Sequence, residues 1–482
     1  MREYLLLNKQ DIEEISEKIK KYEWAKNLYE RVKNDTTFEQ MSKDEVIDGL
    51  TANKYMWEEG RFLRDRSLIY ALTGDDKDVP RMVEILEERF FTNWEFKNFE
   101  PHKHFAIPFD FDHIVDYWML WLYLANHVHA FMLIKNHELF DQKSLERYEK
   151  VFNRILKAKK KNYGEFLELY NCQFWDLTCL GVMGVLLEDD EAVDIAINGH
   201  YGFKQMLNKF YDSLFWPEAT VYGFHYISSC ALMLAEACLK NGYENLYEYI
   251  APSGASIKSM FDGWVKCMFA DGRIATCGQH GNQAAVVDEF ETRSSAEIDD
   301  SFLFNNRGYR DANKLEIAYR VYRDPVYAWI LSQNPKRDTW DHSFWGYSAL
   351  TYGLPLKEIT PPSAKSELFV QYGAAIVRSD ETENYWNSPA IAIYVRDGSR
   401  QGHSQNDHYN ILLNAFNKNI YPDWFISWDY KGALDPKTGK PRNQSPYSGT
   451  LFGHNTVVVD GKNADIREAK ILPVERSNEM QV

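Results

Sequence analysis

From the first residue to about position 350 the apolar positions recur at helical spacing. Ile12, Ile15, Ile19 and Tyr22 fall on one face, and Trp24, Leu28 and Val32 continue the stripe. Asn8, with Asp11 three residues later, has the form of an N-terminal capping pair. The same texture returns over 114–133, 174–187, 226–239 and 257–269, with Gly, Pro and charged residues between the runs. This spacing predicts an all-α array of about ten or more helices across 1–352.

The pattern then changes. Tyr352-Gly353-Leu354-Pro355 and Thr360-Pro361-Pro362-Ser363 place backbone breakers close together, so 353–366 reads as a linker. Beyond it come short runs rich in β-branched and aromatic residues at 368–378, 390–396, 411–416 and 456–459. Asp397-Gly398 and Asp460-Gly461 are turn signals that follow two of them. The stretch 367–482 is therefore expected to be mainly antiparallel sheet. It ends at Val482 on a polar tail with no recognisable closing element, as a fragment or an abbreviated sheet domain would.

At 482 residues, with 45% hydrophobic and 15% aromatic content, the chain can bury a large core in two or more domains. Its formal net charge of -16 argues against a protein that tracks nucleic-acid phosphates. An anionic ligand would need a locally basic cleft. No apolar run is long enough for a signal-peptide core or a bilayer span, so no membrane partner is expected. As written, the sequence reads as cytoplasmic, and a trimmed N-terminus would instead allow periplasmic or extracellular placement. The six cysteines lack CxxC spacing and read as reduced, buried thiols.

Three groups of residues could carry chemistry. Asn171-Cys172-Gln173-Phe174-Trp175-Asp176 opens a helical run, where an Asn is more often a cap or a satisfied buried amide. The run from Trp216-Pro217-Glu218 to Tyr222 and Tyr226 feeds another helix. There a Tyr usually only packs, and a Glu complements the helix dipole. The third group is scattered over the sheet-like part: His403, Gln405 and Asp407, then Tyr421-Pro422-Asp423-Trp424, then His454-Asn455-Thr456. Spacing alone cannot bring His403, Gln405, Asp423 and His454 together, and His408 has a weaker claim.

An α-helical part followed by sheet, with His403-x-Gln405-x-Asp407, Tyr421-Pro422-Asp423, His454-Asn455-Thr456-Val457 and Asp460-Gly461 in that order, resembles the heparinase II/III-like polysaccharide lyases. Gln405 is closer to the heparinase III pattern than to the His-x-His form of other members. Leu5-Leu6-Leu7, the Asn171 segment, the Glu218 to Tyr222 segment and 366–378 also follow the family's order. The resemblance implies an incomplete (α/α) toroid followed by an antiparallel β-sandwich-like domain. It also implies β-elimination on an acidic, uronate-containing polysaccharide or oligosaccharide. Asn171 and His403 would neutralise the substrate carboxylate, while Tyr222 would serve as base and acid, with Tyr226 as its competitor. Glu218, Tyr226, Arg400 and Trp424 would line the substrate. Gln405, Asp423 and His454 would hold a structural divalent metal (Zn, Ca or Mn), with no organic cofactor.

Two departures from the family pattern matter. Cys172 stands where many relatives have His, which removes a proton-handling group. Trp424 replaces a small residue and offers either a stacking surface for a sugar or core packing. Arg307, Arg310 and Arg396 are further candidates for anion recognition. Two other functions remain open. A toroidal glycoside hydrolase would need a carboxylate pair such as Glu218 with Asp176, and a non-catalytic uronate-binding protein would need neither. Oligomeric state and the identity of the polymer are not legible.

Overall fold

In the computed structural model the described residues are 1–35, 49–91, 120–163, 171–218, 222–275, 310–337, 340, 343–397, 409–416, 418–421, 455–458 and 460. The helices among them are α1 (Lys9–Lys21), α2 (Glu23–Asn34), α3 (Gly49–Thr73), α4 (Val79–Phe91), α5 (Leu120–Ile134), α6 (Gln142–Asn162) and α7 (Asn171–Leu187). They continue with α8 (Asp190–Asn198), α9 (Phe203–Leu207), a π-helical turn (Tyr222–Ile227), α10 (Ser228–Lys240) and α11 (Ile257–Lys266). The last three are α12 (Arg310–Tyr322), α13 (Pro325–Ser332) and α14 (Ser348–Tyr352).

The first helix starts where its cap dictates. Asn8 Oδ1 accepts the Asp11 N–H at 3.0 Å, and the Asn8 N–H donates to Asp11 Oδ2 at 2.9 Å, so the capping box read from sequence is present. Its apolar face turns inward, with Ile15 buried and Ile12, Ile19 and Tyr22 partly buried beside it. The later run differs: α7 is buried on every side from Asn171 to Leu186, as a helix central to the packing must be.

The packing order runs from α3 to α5, α7, α10, α11, α12 and α14, and returns through α1 and α2 to α3. Buried charge joins two of these helices and α4. Arg89 of α4 donates to Glu59 of α3 at 2.8 and 2.6 Å, and His127 of α5 lies 2.7 Å from the same carboxylate. Burial alone would raise the Glu59 carboxyl, but Arg89 and His127 hold it at about 2.

Residues 353–366 contain neither helix nor strand. Five antiparallel strands follow in the order β1 (Glu367–Phe369), β2 (Ala374–Arg378), β3 (Ala392–Arg396), β4 (Asn410–Ala415) and β5 (Lys418–Tyr421). The expected single strand over 368–378 is a hairpin instead. Gly373 sits at φ +70°, where a Cβ would run into the Asp397 carboxylate. The turn is held by Asp212, whose carboxylate accepts the N–H groups of Gln371 and Tyr372 at 3.2 and 2.9 Å. The strand expected over 456–459 is likewise not formed at 455–458. There the Asn455 carbonyl accepts from the Ile411 N–H at 3.0 Å, and its own N–H donates to Asn410 Oδ1 at 3.1 Å.

Alternation sorts the sheet into two faces. Ala374, Ile376, Arg378, Ala392, Tyr394, Arg396, Asn410, Leu412 and Asn414 are buried, while Ile393 and Ile411 are exposed on the other side. The buried face sits on the helices. Phe215 stacks on Tyr372 with centroids 4.5 Å apart and meets Phe369 edge-on at 4.8 Å. Arg378 donates to the carbonyls of Lys266 at 2.8 Å and Met268 at 3.0 Å, just where α11 ends.

Candidate active site

The site grows from the start of α7. Asn171 is the first described residue of α7, and a partner far along the chain takes its N–H. The Asn171 N–H donates to Glu218 Oε2 at 2.8 Å, and Asn171 Nδ2 donates to Glu218 Oε1 at 2.6 Å. Trp216 Nε1 donates to the same Oε2 at 2.9 Å. The carboxylate is only 1% exposed.

Opposite this start is the π-helical turn Tyr222–Ile227, which packs on α7 and leads into α10. The run predicted as plain α-helix over 226–239 therefore opens with a wider turn, a form often found at functional sites. Tyr222 is the first described residue of that turn. Its ring and the residues between Glu218 and Tyr222 are outside the described set. Tyr226 is half-buried, and its ring meets Trp175 edge-on at 6.4 Å. Trp175 lies one helical turn after Asn171, so Asn171, Trp175, Tyr226 and the backbone of Tyr222 belong to one region. Gly223 allows the close fit, since a Cβ there would come within 3.2 Å of Trp216 Cβ.

Cys172 is buried, and its thiol is pushed well up by burial and then by the Glu218 charge, so it is a neutral thiol. Asp176 forms a buried ion pair with Lys159 of α6. The carboxylate pair of the hydrolase alternative is thus already engaged, Asp176 by Lys159 and Glu218 by Asn171 and Trp216. Glu218, expected to line the substrate, has its carboxylate on protein donors instead. Arg396 is also enclosed, with its guanidinium 4.8 Å from the centroid of the Tyr372 ring.

Arg400, His403, Gln405, Asp423, Trp424 and His454 lie outside the described residues, as do Arg307 and the side chain of Arg310. Their flanks can be placed: Tyr421 of β5 lies opposite Leu413 of β4, and Asn455 is bonded to Asn410 and Ile411 of the same strand. Among the described residues no three His, Cys, Asp or Glu side chains are grouped as a metal site, and no helix is long and apolar enough to cross a membrane. Trp216 was the contributor that the sequence reading missed. Its indole N–H could have been suspected from Trp216-Pro217-Glu218, but a donor two residues from its acceptor shows only once the loop is folded.

No protein-family model matches the chain, and no curated protein matches it by sequence. Solved structures do. A heparinase III is 15% identical, with 96% of this chain and 64% of that one covered at a TM-score of 0.52. The fold is that of heparinase III. The heparan sulfate lyase HepC from Pedobacter heparinus is similar at 16% identity over 88% of this chain and 57% of its own, with a TM-score of 0.50. The chain thus spans about three fifths of the length of these heparinase III-fold structures. The helical array followed by antiparallel sheet, expected from sequence, accords with that fold.

Proposed function

We propose that the chain is a polysaccharide lyase that cleaves a uronate-containing polymer or oligomer by β-elimination and leaves a 4,5-unsaturated uronate end. The observation that carries this reading is the convergence of Asn171 of α7, held by Glu218, with the π-helical turn that includes Tyr222. The heparinase III fold and the lyase activity named for HepC support it. The domain division belongs to the same proposal: an incomplete (α/α) toroid over 1–352, a linker over 353–366 and a β-sandwich-like domain from 367. The packing order that returns from α14 to α1 and α2 supports the toroid.

The reaction sets two demands. Loss of the C5 proton spreads negative charge into the uronate carboxylate, so donors must meet that group, and a base must reach C5. Asn171 has a second Nδ2 hydrogen for the carboxylate after one is given to Glu218. His403 would be the other donor. Tyr222 would take the C5 proton as phenolate and return a proton to the O4 leaving group. A free phenol has a pKa of about 10, so a cationic neighbour in the complex must favour the phenolate. Gln405, Asp423 and His454 would hold a structural divalent metal, and the proton transfers would rest on Tyr222.

Ultraviolet absorbance followed on a panel of uronate polymers, with wild type beside Tyr222→Phe and Tyr226→Phe, tests the reading. Absorbance should rise with wild type and with Tyr226→Phe, and fall by about 10²- to 10⁴-fold in rate with Tyr222→Phe. A rise that survives only in Tyr222→Phe transfers the role to Tyr226. No rise with wild type on any uronate substrate would sink the lyase reading.

A further inference from the structure

We propose that Glu218 is a positioning residue, which sets the direction of the Asn171 amide and its distance from the Tyr222 turn. The inference rests on the lyase reading. One carboxylate takes both the backbone and the side-chain N–H of the same residue, at 2.8 and 2.6 Å, and so fixes the amide plane of Asn171 against its backbone. With the amide nitrogen facing Glu218 Oε1, one Nδ2 hydrogen is used and the other is left to point elsewhere.

The clamp is itself anchored. Trp216 donates to Glu218 Oε2 at 2.9 Å, and its ring is wedged by Phe174 of α7 at 5.4 Å and Phe210 at 5.5 Å. Gly223 of the π-helical turn lies against the Trp216 Cβ. The single carboxylate therefore ties together the residue that would neutralise the substrate, the loop before the π turn, and the turn that carries Tyr222. The charge argues for positioning over substrate contact. A buried carboxylate that accepts from Asn171 twice and from Trp216 stays satisfied where it is, and would repel a uronate brought against it.

Glu218→Gln replaces one acceptor oxygen with an NH2 group, which then faces either Asn171 Nδ2 or the N–H groups of Asn171 and Trp216. It should lower kcat by about 10²-fold with KM changed less than about 3-fold, because a misaligned amide fails mainly where charge develops. Glu218→Asp keeps both oxygens and should retain more activity than Glu218→Gln. In an Asn171→Ala background, Glu218→Gln should cost less than about 3-fold more, since both changes remove one interaction. Trp216→Phe removes a donor and leaves both Asn171 contacts, and should cost less than about 5-fold.

A readout that needs no turnover accompanies these. With ¹⁵N-asparagine labelling, the two Nδ2 protons of Asn171, assigned by their loss in Asn171→Ala, should be widely split in wild type and drawn together in Glu218→Gln. Three results would overturn the clamp: full kcat in Glu218→Gln, losses that multiply across the double variant, or unchanged Asn171 Nδ2 signals. A wild type without lyase activity but with the expected signals would retain the clamp and discard the lyase reading.

Discussion

At the scale of single residues the site is organised by hydrogen-bond donors seeking acceptors. Glu218 and Asn171 are 47 positions apart, yet one carboxylate takes both the backbone and the side-chain N–H of Asn171. Beside them Cys172 shows what burial does to a titratable group. Its thiol is pushed up by desolvation and by Glu218, and those of Cys179, Cys238 and Cys267 are raised to about 12, also led by burial. Since the thiolate is the reacting species, iodoacetamide at pH 8 should leave these four and Cys230 unmodified in the native protein and label all five in urea. Peptide mass spectrometry would check this, and native labelling of Cys172 would contradict its enclosure. Asn171, Glu218 and the two tyrosines were legible as residue types with suitable chemistry. The direction of their side chains was not, because hydrogen-bond partners so distant in sequence leave no periodic trace.

At the scale of elements, helix existence was more legible than helix form. Apolar spacing announced α1, α2, α7, α10 and α11, but the π-helical turn at Tyr222 escaped notice because aromatic residues at 222, 224 and 226 are equally compatible with an α-helix. The hairpin at 367–378 was read as one strand for a related reason. Its apolar residues are interrupted only at Gln371 and Gly373, and the contact from Asp212 together with Gly373 shows where the chain reverses. Arg378 illustrates how one element is fastened to another. A fully buried guanidinium on β2 serves the carbonyls of Lys266, Met268 and Lys365, so the strand is joined to the end of α11 by charge-assisted bonds. Arg378→Met should fill most of the volume while leaving those carbonyls dry, at a cost of about 3 kcal/mol or more. A lower urea midpoint, with faster hydrogen exchange across β1 to β3, is the expected result. An unchanged midpoint would mean that water replaces the guanidinium without cost.

At the scale of the whole molecule, the shift from helix to sheet was visible in the breakers around 353–366, whereas the return of the packing order from α14 to α1 leaves no trace in apolar spacing and was implied only by the family resemblance. Each amphipathic helix declares that it has a buried face and is silent about which neighbour covers it. The buried charge that accompanies this packing predicts how the protein responds to acid. His129 of α5 is enclosed against Phe344, with ring centroids 5.5 Å apart, and burial, aided by Arg64, lowers its pKa to about 4. The unfolded chain binds this proton near pH 6.5 while the folded one refuses it until about pH 4, so stability must fall as pH drops between those values. Glu59, held at about 2, adds a second step: its contribution is complete above about pH 4.3 and is lost as pH falls through 2. By pH 5 the His129 step alone is on the order of 2 kcal/mol. Melting temperatures measured from pH 7.5 to 5 should therefore decline in wild type and decline less in His129→Phe, which keeps an aromatic ring against Phe344 but cannot take a proton. Equal slopes for the two proteins would show that the acid limb in this range arises from groups other than His129.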